Sequence, residues 1–105
     1  ILSWSNEMIL TRTTFQAKYG QGDALVTILK EVQPILTAAG ARGHRILTAA
    51  SGQFFTVTQE MEFDSLTAYE ESIPKAFSDP GFGPWFAKMT AVVESGARDF
   101  LNIVD

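Results

Sequence analysis

The sequence predicts an α+β domain in which a four-stranded antiparallel sheet carries helices on one face. Three observations predict it. Strand-like and helix-like segments follow in the order strand, helix, strand, strand, broken helix, strand. The segment Leu25 to Ala39 has the apolar spacing of an amphipathic helix. Of the 105 residues, 46% are hydrophobic and 19% charged, which fits one packed core and not two. The boundaries expected are residues 1–7 as an N-terminal arm, or a remnant ahead of a natural start at Met8, followed by a single domain over residues 8–105.

In Met8 to Ala17, β-branched and aromatic residues alternate, Ile9, Thr11, Thr13 and Phe15 against Leu10, Arg12, Thr14 and Gln16, which predicts the first strand. A turn at Tyr19 to Gly22 leads to Asp23, a candidate cap for a helix with Leu25, Ile28, Leu29, Val32, Ile35 and Leu36 on one stripe. Pro34 predicts a kink near Lys30 and Glu31, and Gly40 a left-handed C-terminal cap. His44 to Ala50 and Phe54 to Phe63 are two strands joined through Ser51, Gly52 and Gln53, a hairpin pattern. In the second of them Phe55, Val57, Met61 and Phe63 share one face and Phe54, Thr56, Thr58, Glu60 and Glu62 the other. Asp64 is a candidate cap for the next helix, with Leu66, Tyr69 and Ile73 as its buried stripe and Pro74 as its kink or end. After a loop from Ser78 to Gly83, Pro84 suits the first position of a helix containing Trp85, Phe86, Met89, Val92 and Val93 that Gly96 closes. Ala97 to Val104 reads as the last strand.

Two right-handed crossovers of this kind give the ferredoxin-like arrangement, with strand order fourth, first, third, second. Its helix-free face would present Phe54, Thr56, Thr58 and Glu60 with Leu10, Arg12 and Thr14. An open face carrying aromatics predicts a homodimer packed sheet to sheet.

The order over Met8 to Val104 resembles the dimeric α/β-barrel superfamily, in which two such sheets close into a shared barrel. Within it, Arg12-Thr13-Thr14-Phe15 with Lys18-Tyr19-Gly20 is similar to NIPSNAP-like domains. So are Ser51-Gly52-Gln53-Phe54-Phe55, Glu62-Phe63-Asp64-Ser65-Leu66 and Trp85-Phe86-Ala87-Lys88-Met89. The chain departs from the NIPSNAP-like pattern at Thr14, where an aromatic is usual. The resemblance implies a fold shared by cofactor-free monooxygenases, small-molecule cyclases and isomerases, haem-handling enzymes and stress-response proteins, and selects none of them.

Composition narrows the chemistry. A net charge of −4 supplies no field for nucleic acid or for anionic membranes. Without cysteine and with a single histidine, thiolate catalysis and a histidine-rich metal site are excluded, and no cofactor or metal is expected. No apolar run reaches the roughly 20 residues of a membrane-spanning helix, so a cytoplasmic protein is expected. Gly20 and Gly22 lack the third glycine of a dinucleotide-binding loop.

The candidate site residues are Arg12, Tyr19, Phe54, Thr58, Glu60 and Trp85, with His44 as the one side chain that titrates near neutrality. Arg12 and Glu60 would form a pair in the barrel lining that orients an apolar, oxygenated ligand by the guanidinium fork. The alternative is a structural ion pair in a non-catalytic dimerisation module. Trp85 and Tyr19 would stand at the barrel mouth, with core packing and an exposed turn as their plain alternatives.

Overall fold

The alternation in the first segment becomes strand β1 (Ile9–Ala17), whose odd-numbered residues Ile9, Thr11 and Thr13 are buried. The structure is a computed structural model that describes residues 8–104; the expected N-terminal arm at residues 1–7 lies outside the described residues. The elements that follow are α1 (Gly22–Ala38), β2 (Arg42–Thr48), β3 (Thr56–Phe63), α2 (Leu66–Phe77), α3 (Phe82–Val92) and β4 (Val93–Asn102). They form one sheet of order β2-β3-β1-β4 with antiparallel pairing throughout, the ferredoxin-like order expected. Arg12 lies opposite Glu60 on one side and Asp99 on the other, and Thr13 lies opposite Gln59 and Arg98.

Helix α1 covers the sheet with Leu25, Leu29 and Val32, all fully buried. It runs through Pro34 as one element and begins one residue before Asp23, which sits in its first turn, not at its cap. An acidic side chain there still meets the positive end of the helix dipole. At the other end Ala41 donates to the Leu36 carbonyl at 2.9 Å and Gly40 to that of Thr37 at 3.1 Å. This double closure requires the positive φ of 118° that Gly40 adopts.

Several sequence expectations shift for local reasons. Ser65, not Asp64, caps α2, accepting from the Ala68 amide at 3.0 Å, while Asp64 pairs with Arg42. Phe63 nonetheless packs edge-on against Tyr69 in the next turn, ring centres 5.3 Å apart. Pro74 does not end α2, which continues to Phe77. Its stripe also differs: Ser72 and Ala76 are buried, whereas Leu66 and Ile73 are exposed, because the helix stands off the sheet over a pocket. Helix α3 starts two residues before Pro84 and passes directly into β4 at Val93. Gly96 therefore closes no helix. It lies within β4 opposite Phe15, where a Cβ would come within 3.1 Å of the Phe15 ring.

The core has two clusters. One gathers Ala17, Leu25, Ile28, Leu29, Val57 and Met89, and the other Ala41, Met61 and Phe63. Trp85 joins helix to helix by donating its indole N–H to the Ile28 carbonyl at 2.8 Å. Leu29→Ala removes a fully buried side chain from the first cluster and is expected to lower unfolding free energy by about 2–5 kcal/mol in a denaturant titration.

Candidate functional site

A pocket of about 300 Å³ lies between the sheet and helices α2 and α3, in the gap between the two core clusters. Its walls are largely apolar: Phe15, Met61 and Phe63 from the sheet, and Phe82, Trp85 and Met89 from α3 and its start. The strand alternation that turns Thr13 toward the helices turns its cross-strand partners Gln59 and Arg98 the same way. Gln59 and Arg98 line the pocket, together with Tyr69 and Ser72 of α2.

Arg98 is held at two points. Its Nε donates to Thr13 Oγ1 at 2.7 Å and its Nη1 to the Tyr69 hydroxyl at 2.8 Å. The guanidinium carbon also stands 6.0 Å from the centre of the Tyr69 ring, a cation–π distance. Because Tyr69 accepts from Arg98, its own hydroxyl hydrogen is free to donate. Gln59 Nε2 is buried and finds no hydrogen-bond partner among the described residues. An unpaired buried donor costs about 1–3 kcal/mol, so this atom has an energetic reason to meet an acceptor. The polar end of the pocket, where Arg98 is exposed to solvent, thus offers donors beside largely apolar walls, suited to a carbonyl, enolate, phenolate or carboxylate oxygen.

The residues expected at the site fall in separate places. Trp85 lines the pocket. Arg12, Thr58 and Glu60 lie on the opposite, helix-free face of the sheet and so do not meet it. There Glu60 is almost fully buried, only 2% exposed, because two arginines cover it: Arg12 Nε donates to Oε2 at 2.7 Å and Arg45 Nε to Oε1 at 3.1 Å. These bonds, from Arg45 first and then Arg12, hold the Glu60 carboxyl below its ordinary pKa against the opposing effect of burial. Thr14 and Thr58 face each other across the same strands at 3.4 Å. Tyr19 and Phe54 are strongly exposed and flank a second, shallower depression at the end of β1. His44 contacts the last turn of α1 through Nε2 and Thr37 Oγ1 at 2.9 Å, away from both, and burial lowers its pKa.

Gln59, Tyr69 and Arg98 were not singled out from the sequence as site residues. The available signal was alternation: once Thr13 is placed inward, its neighbours on β3 and β4 must be inward too, but their identity depends on a register that residue types alone leave open. Among the described residues, no group of three acidic, histidine or cysteine side chains could hold a metal ion, and no helix is long and apolar enough to cross a membrane.

No family model and no curated protein matches the sequence. Solved structures do match the fold. A NIPSNAP domain protein from Burkholderia xenovorans superposes with a TM-score of 0.81 over 91% of this chain and 94% of its own, at 18% identity. A NIPSNAP family protein of unknown function from Agrobacterium tumefaciens gives 0.80 over 98% and 94%, at 17% identity. SnoaB, a cofactor-independent oxygenase from Streptomyces nogalater, gives 0.73 over 94% and 95%, at 12% identity. The chain therefore has the ferredoxin-like fold of NIPSNAP domains and of SnoaB, and at these identities the likeness is one of fold.

The Glu60 cluster has a pH signature. A carboxyl whose folded pKa lies below its unfolded value contributes stability above the unfolded value, here about 4.5, and loses it as pH falls through the folded value. Glu60→Gln is expected to lower stability at neutral pH by about 1–3 kcal/mol, moderated because both arginines keep contact with water. The difference from wild type should shrink as pH is lowered below 4.5, as measured by urea unfolding across pH.

Proposed function

We propose that the protein binds a small, largely apolar molecule carrying an oxygen acceptor in the pocket between sheet and helices, as a homodimer joined through the helix-free face and without a cofactor. The observation that carries the proposal is that Gln59, whose buried Nε2 has no hydrogen-bond partner among the described residues, lines the same pocket as Arg98 and Tyr69. Aromatic and aliphatic walls supply affinity through burial, and the donors orient the polar end. Trp85 is a wall of this proposed site, on the opposite side of the sheet from Arg12 and Glu60. Arg12, Thr58 and Glu60 serve the dimer face, where Arg12 pairs with Glu60 and Thr58 with Thr14. Turnover of the bound molecule is the enzymatic form of this reading, supported by the shared fold with SnoaB, a cofactor-independent oxygenase. A cytoplasmic location fits the cysteine-free sequence.

A thermal-shift screen of hydrophobic phenols, enols and carboxylates tests the pocket. A binder should lose affinity by about tenfold or more in Arg98→Met, since a hydrogen bond to a charged group is worth about 1.5–3 kcal/mol. If no such compound raises the melting temperature, the non-catalytic module is the better account.

The dimer is tested separately by sedimentation. Thr58→Lys places a charge on the helix-free face beside Thr14, and two such charges would be buried about a two-fold axis. This variant should sediment as a monomer at concentrations where the wild type is a dimer.

A further inference from the structure

The helix-free face carries a row of four charged residues across all four strands. Arg12 on β1 pairs in register with Asp99 on β4 and with Glu60 on β3, and Glu60 with Arg45 on β2. From β4 to β2 the row reads Asp99, Arg12, Glu60, Arg45, with signs minus, plus, minus, plus. The charges cancel in sum but not in place. Glu60 is shared by two arginines, so the β2 end keeps a positive excess. Asp99 is exposed and has no ion-pair partner among the described residues, so the β4 end keeps a negative one. The face is thus polarised transversely to its strands.

We propose that this row sets the orientation of the dimer: the second copy docks about a two-fold axis parallel to the strands, placing Asp99 opposite Arg45 of the partner subunit and Arg12 opposite Glu60 of the partner subunit. The inference rests on the sheet-to-sheet dimer proposed above and adds its geometry. A half-turn about such an axis reverses the order of the row while keeping the strand direction. An alternating row with an even number of charges is complementary to its own reverse, so every charge meets its opposite. A half-turn about an axis across the strands keeps the order and sets each charge over its own copy, Asp99 over Asp99 and Arg45 over Arg45. Burying charges without opposite partners is strongly unfavourable, and like-charge contacts select against the wrong arrangement. The flanking rows, Ala97, Thr14, Thr58 and Leu47 on one side and Leu101, Leu10, Glu62 and Arg42 on the other, set no like charges opposite one another about either axis, so the central charged row decides between them.

Charge reversal with mixing tests the geometry. Asp99→Lys alone and Arg45→Glu alone should each raise the dimer dissociation constant by about tenfold or more, because each sets like charges face to face twice. An equimolar mixture should recover dimerisation to within about threefold of wild type, since the reversed position 99 of one chain then meets the reversed position 45 of the other. The inference is overturned if the mixture stays as weak as its components. It is equally overturned if Asp99→Lys associates with wild type more tightly than wild type with itself, the outcome an axis across the strands requires. That second comparison needs no change at position 45 and decides the matter even where Arg45→Glu, placed beside Glu60, fails to fold. A wild-type chain that remains monomeric removes the dimer itself. A wild-type dimer indifferent to both reversals removes only the orientation.

Discussion

The polar side chains on both faces of the sheet take their places from the register of β1 between β3 and β4. Strand side chains alternate between faces, so a slip of one residue would exchange the two faces of β1. In the observed register Thr13, Gln59 and Arg98 look toward the helices, while their immediate neighbours Arg12, Glu60 and Asp99 look away. Two polar rows therefore lie back to back across one sheet, each built from adjacent positions on the same three strands.

The two rows differ in how far their polar groups are satisfied. On the open face the Glu60 carboxylate collects donors from two arginines, and the threonines at 14 and 58 face each other. On the helix side Arg98 is fixed by Thr13 and Tyr69, but Gln59 Nε2 is left over and a cavity lies beside it. The first arrangement suits a surface that meets a matching surface, and the second suits a small molecule. This contrast favours the proposed site on the helix side although the most prominent ion pair in the sequence, Arg12 with Glu60, lies on the other.

The element order, the four strands and the apolar stripe of α1 were legible because each rests on local periodicity. Positions set by competition between neighbours were not. Asp64 and Ser65 are both good helix caps, and the choice falls on Ser65 only once Asp64 is drawn to Arg42 from a different strand. Gly96 reads as a helix end from its type, yet its lack of a side chain accommodates the ring of Phe15, 81 positions earlier. Tyr69 looks like a core residue by spacing, and only the stand-off of α2 from the sheet turns it into a pocket wall. Arg98 sits in a strand that alternation alone does not orient, because its face is decided by pairing with Thr13, 85 positions away.

The division of the apolar interior into two clusters has a consequence for cooperativity. Helix α1 is anchored with Leu25 and Leu29 in the larger cluster, whereas α2 leans on the smaller one through Ala68 and Tyr69. Regions with fewer buried contacts open at lower free energy than the global transition. Amide protons of α2 should accordingly exchange through partial openings that leave β1, β3 and α1 protected. A molecule filling the gap would touch both clusters at once and fuse them, so that occupancy of the pocket would be read as slowed exchange in a helix as well as a higher melting temperature.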